Sequence, residues 1–144
     1  MSHQLSHYKD ENIKKLLLKT KNIAVIGASL DESKPSNRVI LYLHRNGYNI
    51  YPVNPLYKKK LIHGIKVYES IEELNEKIDI VNIFRKQEFL DEETKLAIRL
   101  KPKCIWMQLG LKSNYAARIA NKKNIIMIMD RCTKIEHKRL IKNN

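Results

Sequence analysis

Residues 22–29 read NIAVIGAS, four apolar side chains in a row (Ile23, Ala24, Val25 and Ile26) halted by Gly27. An unbroken apolar run of this length, without alternation, reads as a strand buried on both faces, which is the usual condition of a parallel sheet. Gly27 then permits the tight turn by which such a strand enters a helix. Moving outward, the same grammar repeats in both directions. Upstream, DENIKKLLLKT (10–20) has acids at its start and Ile13, Leu16 and Leu17 at helical spacing. Downstream, Val39, Ile40, Tyr42 and Leu43 predict a helix ended by Gly47, and YNIYPV predicts the second strand. A short extended piece around Val67 and a short helix beginning near Ser70 follow, with Ser70 and Glu73 at capping-box spacing. IDIVNIF is the third main strand, 88–100 an amphipathic helix (Leu90, Leu96, Ala97, Leu100), CIWMQ the fourth strand, NYAARIAN a helix and IIMIM the fifth strand before a basic C-terminal helix. The alternation predicts an α/β chain with a Rossmann-like doubly wound sheet, mostly parallel, of about five strands in the order 3-2-1-4-5. Residues 1–144 read as one such domain, with 1–9 a mobile tail.

The totals exclude several classes. No apolar run approaches the roughly 18–20 residues that span a bilayer, and MSHQLSHYKDENIKK lacks the apolar core of a signal peptide. Cys104 and Cys132 are too few for a disulfide framework and lack zinc spacing. A cytoplasmic protein with no metal site is the expectation. The net charge of +13 attracts polyanions and phosphorylated ligands. The positive residues read as scattered, and Lys, Asn and Ile are enriched together, so the charge is read as compositional bias rather than as a dedicated nucleic-acid stripe.

In a doubly wound sheet, ligands bind at the carboxyl ends of the strands. After the first strand, Ser29 and Glu32 stand where a dinucleotide fingerprint would need further glycines. What remains is a loop with Ser29, Lys34, Ser36 and Asn37 leading into a helix start, an anion site by its free N–H groups and dipole; the plainer alternative is that Ser36 or Asn37 caps the helix. After the second strand, where NAD-binding folds carry an acid for the ribose, the chain reads PVNPLYKKK (52–60). Pro52 and Pro55 stiffen the loop around Val53 and Asn54 and suit an adenine face, and Lys58 is placed to meet a phosphate; Lys59 and Lys60 read as solvated.

VIGAS, KPSN, GYNIYPVNP, GIKVYESIEEL, IDIVNIFR, IWMQLG and MDRC follow one another in the order and spacing of CoA-binding-domain proteins. Over residues 18–137 the chain resembles the small single-domain branch of that family, related to the nucleotide domain of the succinyl-CoA synthetase α subunit. The resemblance implies a Rossmann-like domain that binds coenzyme A. It carries the phosphate loop onto Gly27, Ala28, Ser29, Lys34, Pro35, Ser36 and Asn37, and the adenosine-side loop onto Val53, Asn54 and Pro55. It carries the third strand end onto Phe84 and Arg85, and the fourth onto Gln108 and Gly110. Leu56 departs from the family pattern, where a basic or polar residue is common, and Lys58 is the replacement cation.

No catalytic residue is assigned. His3, His7, His44, His63 and His137 pair with no nucleophile or metal ligand in sequence. Asp79 and Asp130 read as loop and cap residues, Cys104 as core, and Cys132 as a packed cysteine beside Arg131. The resulting expectation is a module for CoA or an acyl-CoA without its own catalytic machinery, with no membrane or sequence-specific nucleic-acid partner, and a homodimer compatible. The alternatives are an NAD(H)- or other adenine-nucleotide-binding redox or regulatory domain and, third, a basic nucleic-acid-binding protein.

Overall fold

The computed structural model describes residues 6–143. Five strands, β1 (Asn22–Ile26), β2 (Asn49–Val53), β3 (Ile80–Ile83), β4 (Cys104–Met107) and β5 (Ile126–Ile128), form one parallel sheet in the order β2-β1-β3-β4-β5. The helices are α1 (Asp10–Lys19), α2 (Pro35–Arg45), α3 (Leu90–Ile98), α4 (Asn114–Lys122) and α5 (Thr133–His137), the last running on into a π-helical turn at Lys138–Lys142. The doubly wound α/β fold is therefore as the sequence predicts.

Side chains alternate along each strand into two cores. Ile23, Val25, Ile80, Cys104 and Trp106 enter one, with Ile13 and Leu17 of α1 and Ile40 and Leu43 of α2. Ala24, Ile26, Val81, Ile83, Ile105 and Met107 enter the other, with Leu90 and Ala97 of α3 and Ala116 and Ala120 of α4. Because both faces are covered, apolar residues fill nearly every position and the strands read as solid runs, with the buried Asn82 of β3 as an exception.

The strand order departs from the expected 3-2-1-4-5. The third main strand pairs with β1, Ile26 opposite Ile83, rather than lying outside β2. The place beyond β2 is held by the extended piece after Val67: Tyr68 bridges Val53, its N–H donating to the Pro52 carbonyl at 2.8 Å and its carbonyl accepting from Asn54 N–H at 2.9 Å. The chain thus reverses direction across the sheet between β1 and β3, and opens its crevice there. The helix expected near Ser70 is a single 3₁₀ turn, Ile71–Glu73, with both halves of the predicted capping box made.

Part of the tail predicted over residues 1–9 is anchored. Residues 1–5 lie outside the described residues, but the Tyr8 hydroxyl accepts from Met129 N–H at 3.0 Å, and the Arg131 guanidinium lies 5.3 Å from its ring centroid. Next to it, Arg139 grips Asp10 through two 2.9 Å hydrogen bonds and donates to Glu136 at 2.9 Å, while Arg131 donates to Glu136 at 2.7 Å. Burial works against ionisation of Glu136, but Arg139 and Arg131 outweigh it and hold the carboxyl below its ordinary 4.5. Burial, aided by Lys142, lowers His137 below its ordinary 6.5. Both folded values are depressed, so both contributions are present at neutral pH and lost on acidification: that of His137 as pH falls below about 6.5, that of Glu136 below about 4.5. The thermal midpoint should fall as pH drops below about 6.5 and further below about 4.5, and Glu136→Gln should flatten the limb below 4.5 in a calorimetric series. An unchanged limb would mean that the pair contributes nothing.

No helix among the described residues is long and apolar enough to cross a membrane.

Candidate functional site

The site is assembled from the loops that leave β1, β2, β3, β4 and β5 at their carboxyl ends. Gly27 takes φ +84°, and the Phe84 backbone carbonyl stands where a Cβ at this position would lie. The N–H groups of Gly27 and Ala28 both donate to the Val53 carbonyl, at 3.0 and 3.3 Å. Asn54 completes this seam: its Nδ2 donates to the Ala28 carbonyl at 2.8 Å, and its Oδ1 accepts from Leu56 N–H at 2.9 Å. An amide suits the position because one end donates and the other accepts, whereas a carboxylate would face the Ala28 carbonyl lone pairs.

Ser36 and Asn37 do not cap their own helix. Lys34 is the N-cap of α2 and makes no side-chain cap, and Pro35 opens the helix. From the first turn, Ser36 Oγ accepts from Ser29 N–H at 3.1 Å and Asn37 Nδ2 donates to the Ser29 carbonyl at 2.9 Å, so both side chains pin the β1 loop. His63 Nε2 meets Asn37 Oδ1 at 2.7 Å from the small hairpin of Leu61–Ile62 and Ile65–Lys66. The N–H groups of Gly27, Ala28 and Ser29 are thus used within the protein, and the positive charge at the start of α2 comes from the side chains of Lys34 and Arg38.

Between α2 and α5 lies a cleft of about 830 Å³, within the range of ligand pockets. Lys34, Arg38 and Lys134 bring three cations to its lining, and among the described residues no carboxylate lines it. Lys34 and Arg38 are four residues apart and so fall on one side of α2. Phe84 and Gln108 also line it, with Leu109, Leu111, Cys132 and Ile135 on the β4 and β5 side. Beneath that side sits a buried polar network. Thr133 Oγ1 donates to Asn82 Oδ1 at 2.8 Å, Asn82 Nδ2 donates to Gln108 Oε1 at 3.2 Å, and Thr133 N–H reaches the same oxygen at 3.3 Å. These bonds fix β3, β4 and α5 together and orient the Gln108 amide.

Of the predicted site residues, Gly27, Ser29, Lys34, Pro35, Ser36, Asn54, Phe84 and Gln108 line this cleft. Ala28 and Asn37 lie behind it as supports. Val53, Pro55 and Arg85 face instead a smaller hollow of about 200 Å³ on the other side of Gly27, where Arg85 Nε is bound to Glu93 at 2.9 Å. Lys58 is drawn away from the cleft by Glu69, to which its ammonium lies 3.0 Å away. Gly110 takes φ +83° and donates to Asp130 Oδ1 at 2.7 Å, shaping the loop that presents its neighbours Leu109 and Leu111.

Cys132 is buried yet lines the cleft, whereas His137 points away, its Nδ1 2.8 Å from the Tyr42 hydroxyl. Burial pushes the Cys104 thiol far above its ordinary value, as befits a core residue. Arg38, Lys134 and the Asn82–Thr133 pair were missed in the sequence. The i, i+4 spacing from Lys34 would have found Arg38, and the lone amide in the apolar run IDIVNIF would have found Asn82.

A family model described as a CoA binding domain matches residues 21–138, a span that includes all five strands. The chain belongs to the CoA-binding domain family. Among relatives of this CoA-binding domain, the uncharacterized protein YneT of Bacillus subtilis is 35% identical over 125 residues, covering 87% of this chain and 91% of that protein. An ADP-forming acetate–CoA ligase of Methanocaldococcus jannaschii is 38% identical over 63 residues, 44% of this chain but 9% of the ligase. The solved structure of cell-free ID.343 from Thermus thermophilus superposes with a TM-score of 0.89 at 32% identity, covering 92% of this chain and 99% of that one.

Proposed function

We propose that the cleft between α2 and α5 binds coenzyme A or an acyl-CoA, and that the chain is a cytoplasmic binding module without catalytic machinery of its own. The observation that carries this reading is the charge of the lining: Lys34, Arg38 and Lys134, with no carboxylate among the described residues that line it. Coenzyme A bears a pyrophosphate and a further phosphate on its ribose, so it favours such a lining more than NAD does. The phosphates lie with Lys34 and Arg38 at the start of α2, where the helix dipole adds to the attraction. The adenosine end rests toward Asn54, and the pantetheine arm runs past Phe84 and Gln108 toward Leu109 and Ile135. Membership of the CoA-binding domain family supports the same ligand.

Asn54 is the residue that argues against NAD. It stands where a ribose-binding acid would stand, and its amide is spent on the Ala28 carbonyl and Leu56 N–H. A thermal-shift panel tests the assignment. CoA at about 100 times its Kd should add roughly 2.7 kcal/mol of stability, while NAD, NADH and ATP at equal concentration should add much less. A midpoint raised by NAD and unmoved by CoA would overturn the reading.

A further inference from the structure

The edge of the sheet opposite the cleft carries its own signature. In a parallel sheet every strand starts on the same side, so the loops leading into the strands are gathered along one edge. Lys19 and Lys21 precede β1, Lys77 precedes β3, and Arg99, Lys101 and Lys103 precede β4. Lys122 and Lys123 precede β5, and all eight of these side chains are exposed. Charges that read as scattered in sequence are therefore periodic in the fold, recurring at nearly every helix-to-strand connection.

The carboxylates beside them are Glu76 and Asp79. Asp79 is buried and turned inward, its Oδ2 accepting from Lys21 and Asn22 N–H at 2.9 and 3.0 Å. The ion pairs sharpen the contrast. Lys58, Arg85, Lys112, Arg131 and Arg139, toward the other edge, are each paired with a carboxylate. Toward this edge Lys103 pairs with Asp79 at 3.6 Å, and Lys95, in the last turn of α3, pairs with Glu92 at 3.2 Å. Complementing helix dipoles accounts for Lys19 and Lys122, which lie in last turns. It likewise accounts for Arg99 and Lys123, the C-caps of α3 and α4, but not for Lys21, Lys77, Lys101 and Lys103, which lie beyond the helices. Lys101 even holds φ +50°, a conformation that glycine or asparagine adopts at lower cost.

We propose that this edge docks the phosphate backbone of duplex nucleic acid, without regard to base sequence. Five strands set about 4.8 Å apart give an edge roughly 20 Å long. Duplex DNA presents one charge per about 1.7 Å of axis, so several phosphates come within reach of flexible lysines. Two adjacent hollows of about 600 and 410 Å³ share Lys103 and Asn124 in their linings, and both are lined by further cations. A single strand would want exposed aromatic faces for stacking. Tyr48, the aromatic residue that leads into β2, is buried and donates its hydroxyl to the Leu17 carbonyl at 2.7 Å. A bilayer would want an apolar face, and Leu18 on α1 is a single exposed side chain near this edge.

Fluorescence anisotropy with two unrelated 20-base-pair duplexes tests the proposal. Both should bind with similar affinity at about 50 mM salt and lose it steeply toward about 200 mM. Lys101→Glu/Lys103→Glu/Lys123→Glu should weaken binding at least tenfold and reduce the log–log salt slope by about 2 to 3, near 0.9 for each phosphate no longer neutralised. Lys101→Gln/Lys103→Gln/Lys123→Gln should do the same to a smaller extent. Lys59→Glu/Lys60→Glu/Lys66→Glu, with the same change in net charge elsewhere, should stay within about threefold of the parent protein. Equal losses in the edge and control variants would overturn the proposal, as would no binding at 50 mM. Tighter binding to oligo-dT or to phosphatidylserine vesicles than to duplex would also overturn it. The cleft is remote from this edge, so CoA binding should be intact in all three variants, and its absence from the parent protein would count against the cleft reading alone.

Discussion

Gly27→Ala should destabilise the protein by about 3 kcal/mol or more, combining the left-handed backbone penalty with overpacking. The added Cβ would lie 3.0 Å from the Phe84 carbonyl carbon and closer still to its oxygen, and that carbonyl belongs to backbone that cannot swing away. Gly64 is the matched control: it holds φ +81°, but a Cβ there would meet nothing within 4 Å. Gly64→Ala should therefore cost about 1 kcal/mol, the conformational part alone. Urea denaturation of the two variants compares them directly. Equal costs would mean that the Gly27–Phe84 approach is not the constraint that ties β1 to β3.

The second large effect concerns affinity. Lys34→Glu alone should weaken CoA about tenfold, roughly 1.4 kcal/mol. Because Arg38 lines the same cleft four residues on, Lys34→Glu/Arg38→Glu should approach a hundredfold, about 2.8 kcal/mol if the two add. Titration calorimetry reads the loss, with Lys59→Glu/Lys66→Glu as the variant of equal net charge away from the cleft. If the control loses as much as the cleft pair, long-range attraction by the +13 charge dominates and the phosphates have no local seat.

Most of the architecture was legible because it is encoded locally. The apolar runs around Val25, Val81, Ile105 and Met127 announce strands buried on both faces, and each does so within five or six residues. The Ser70–Glu73 capping box and the Gly27 turn are equally local, and both are present. The cleft was legible in part. Lys34, Ser36 and Gln108 follow strands or open a helix, and strand ends are where a doubly wound sheet exposes its backbone.

What was not legible depended on distant partners. Ser36 and Asn37 have the chemistry of helix caps, but the β1 loop folds back within 3.1 Å and claims both. Lys58 has the charge to meet a phosphate, but Glu69, eleven residues on, holds it at 3.0 Å. Asn82 and Thr133 are 51 residues apart, and no local pattern announces their 2.8 Å bond.

By itself, then, the sequence determined which segments are strands and helices, that both sheet faces are covered, and where the backbone must turn at Gly27. Periodicity and backbone sterics act within a few residues, and these properties need no more. Only the tertiary structure decided that β3 lies beside β1, that Asn54 locks two loops, that Arg38 and Lys134 face one cleft, and that eight cations share the opposite edge. Those outcomes depend on which distant groups are brought within a few ångströms of each other, and hydrogen bonds and charge pairs are decided at that range.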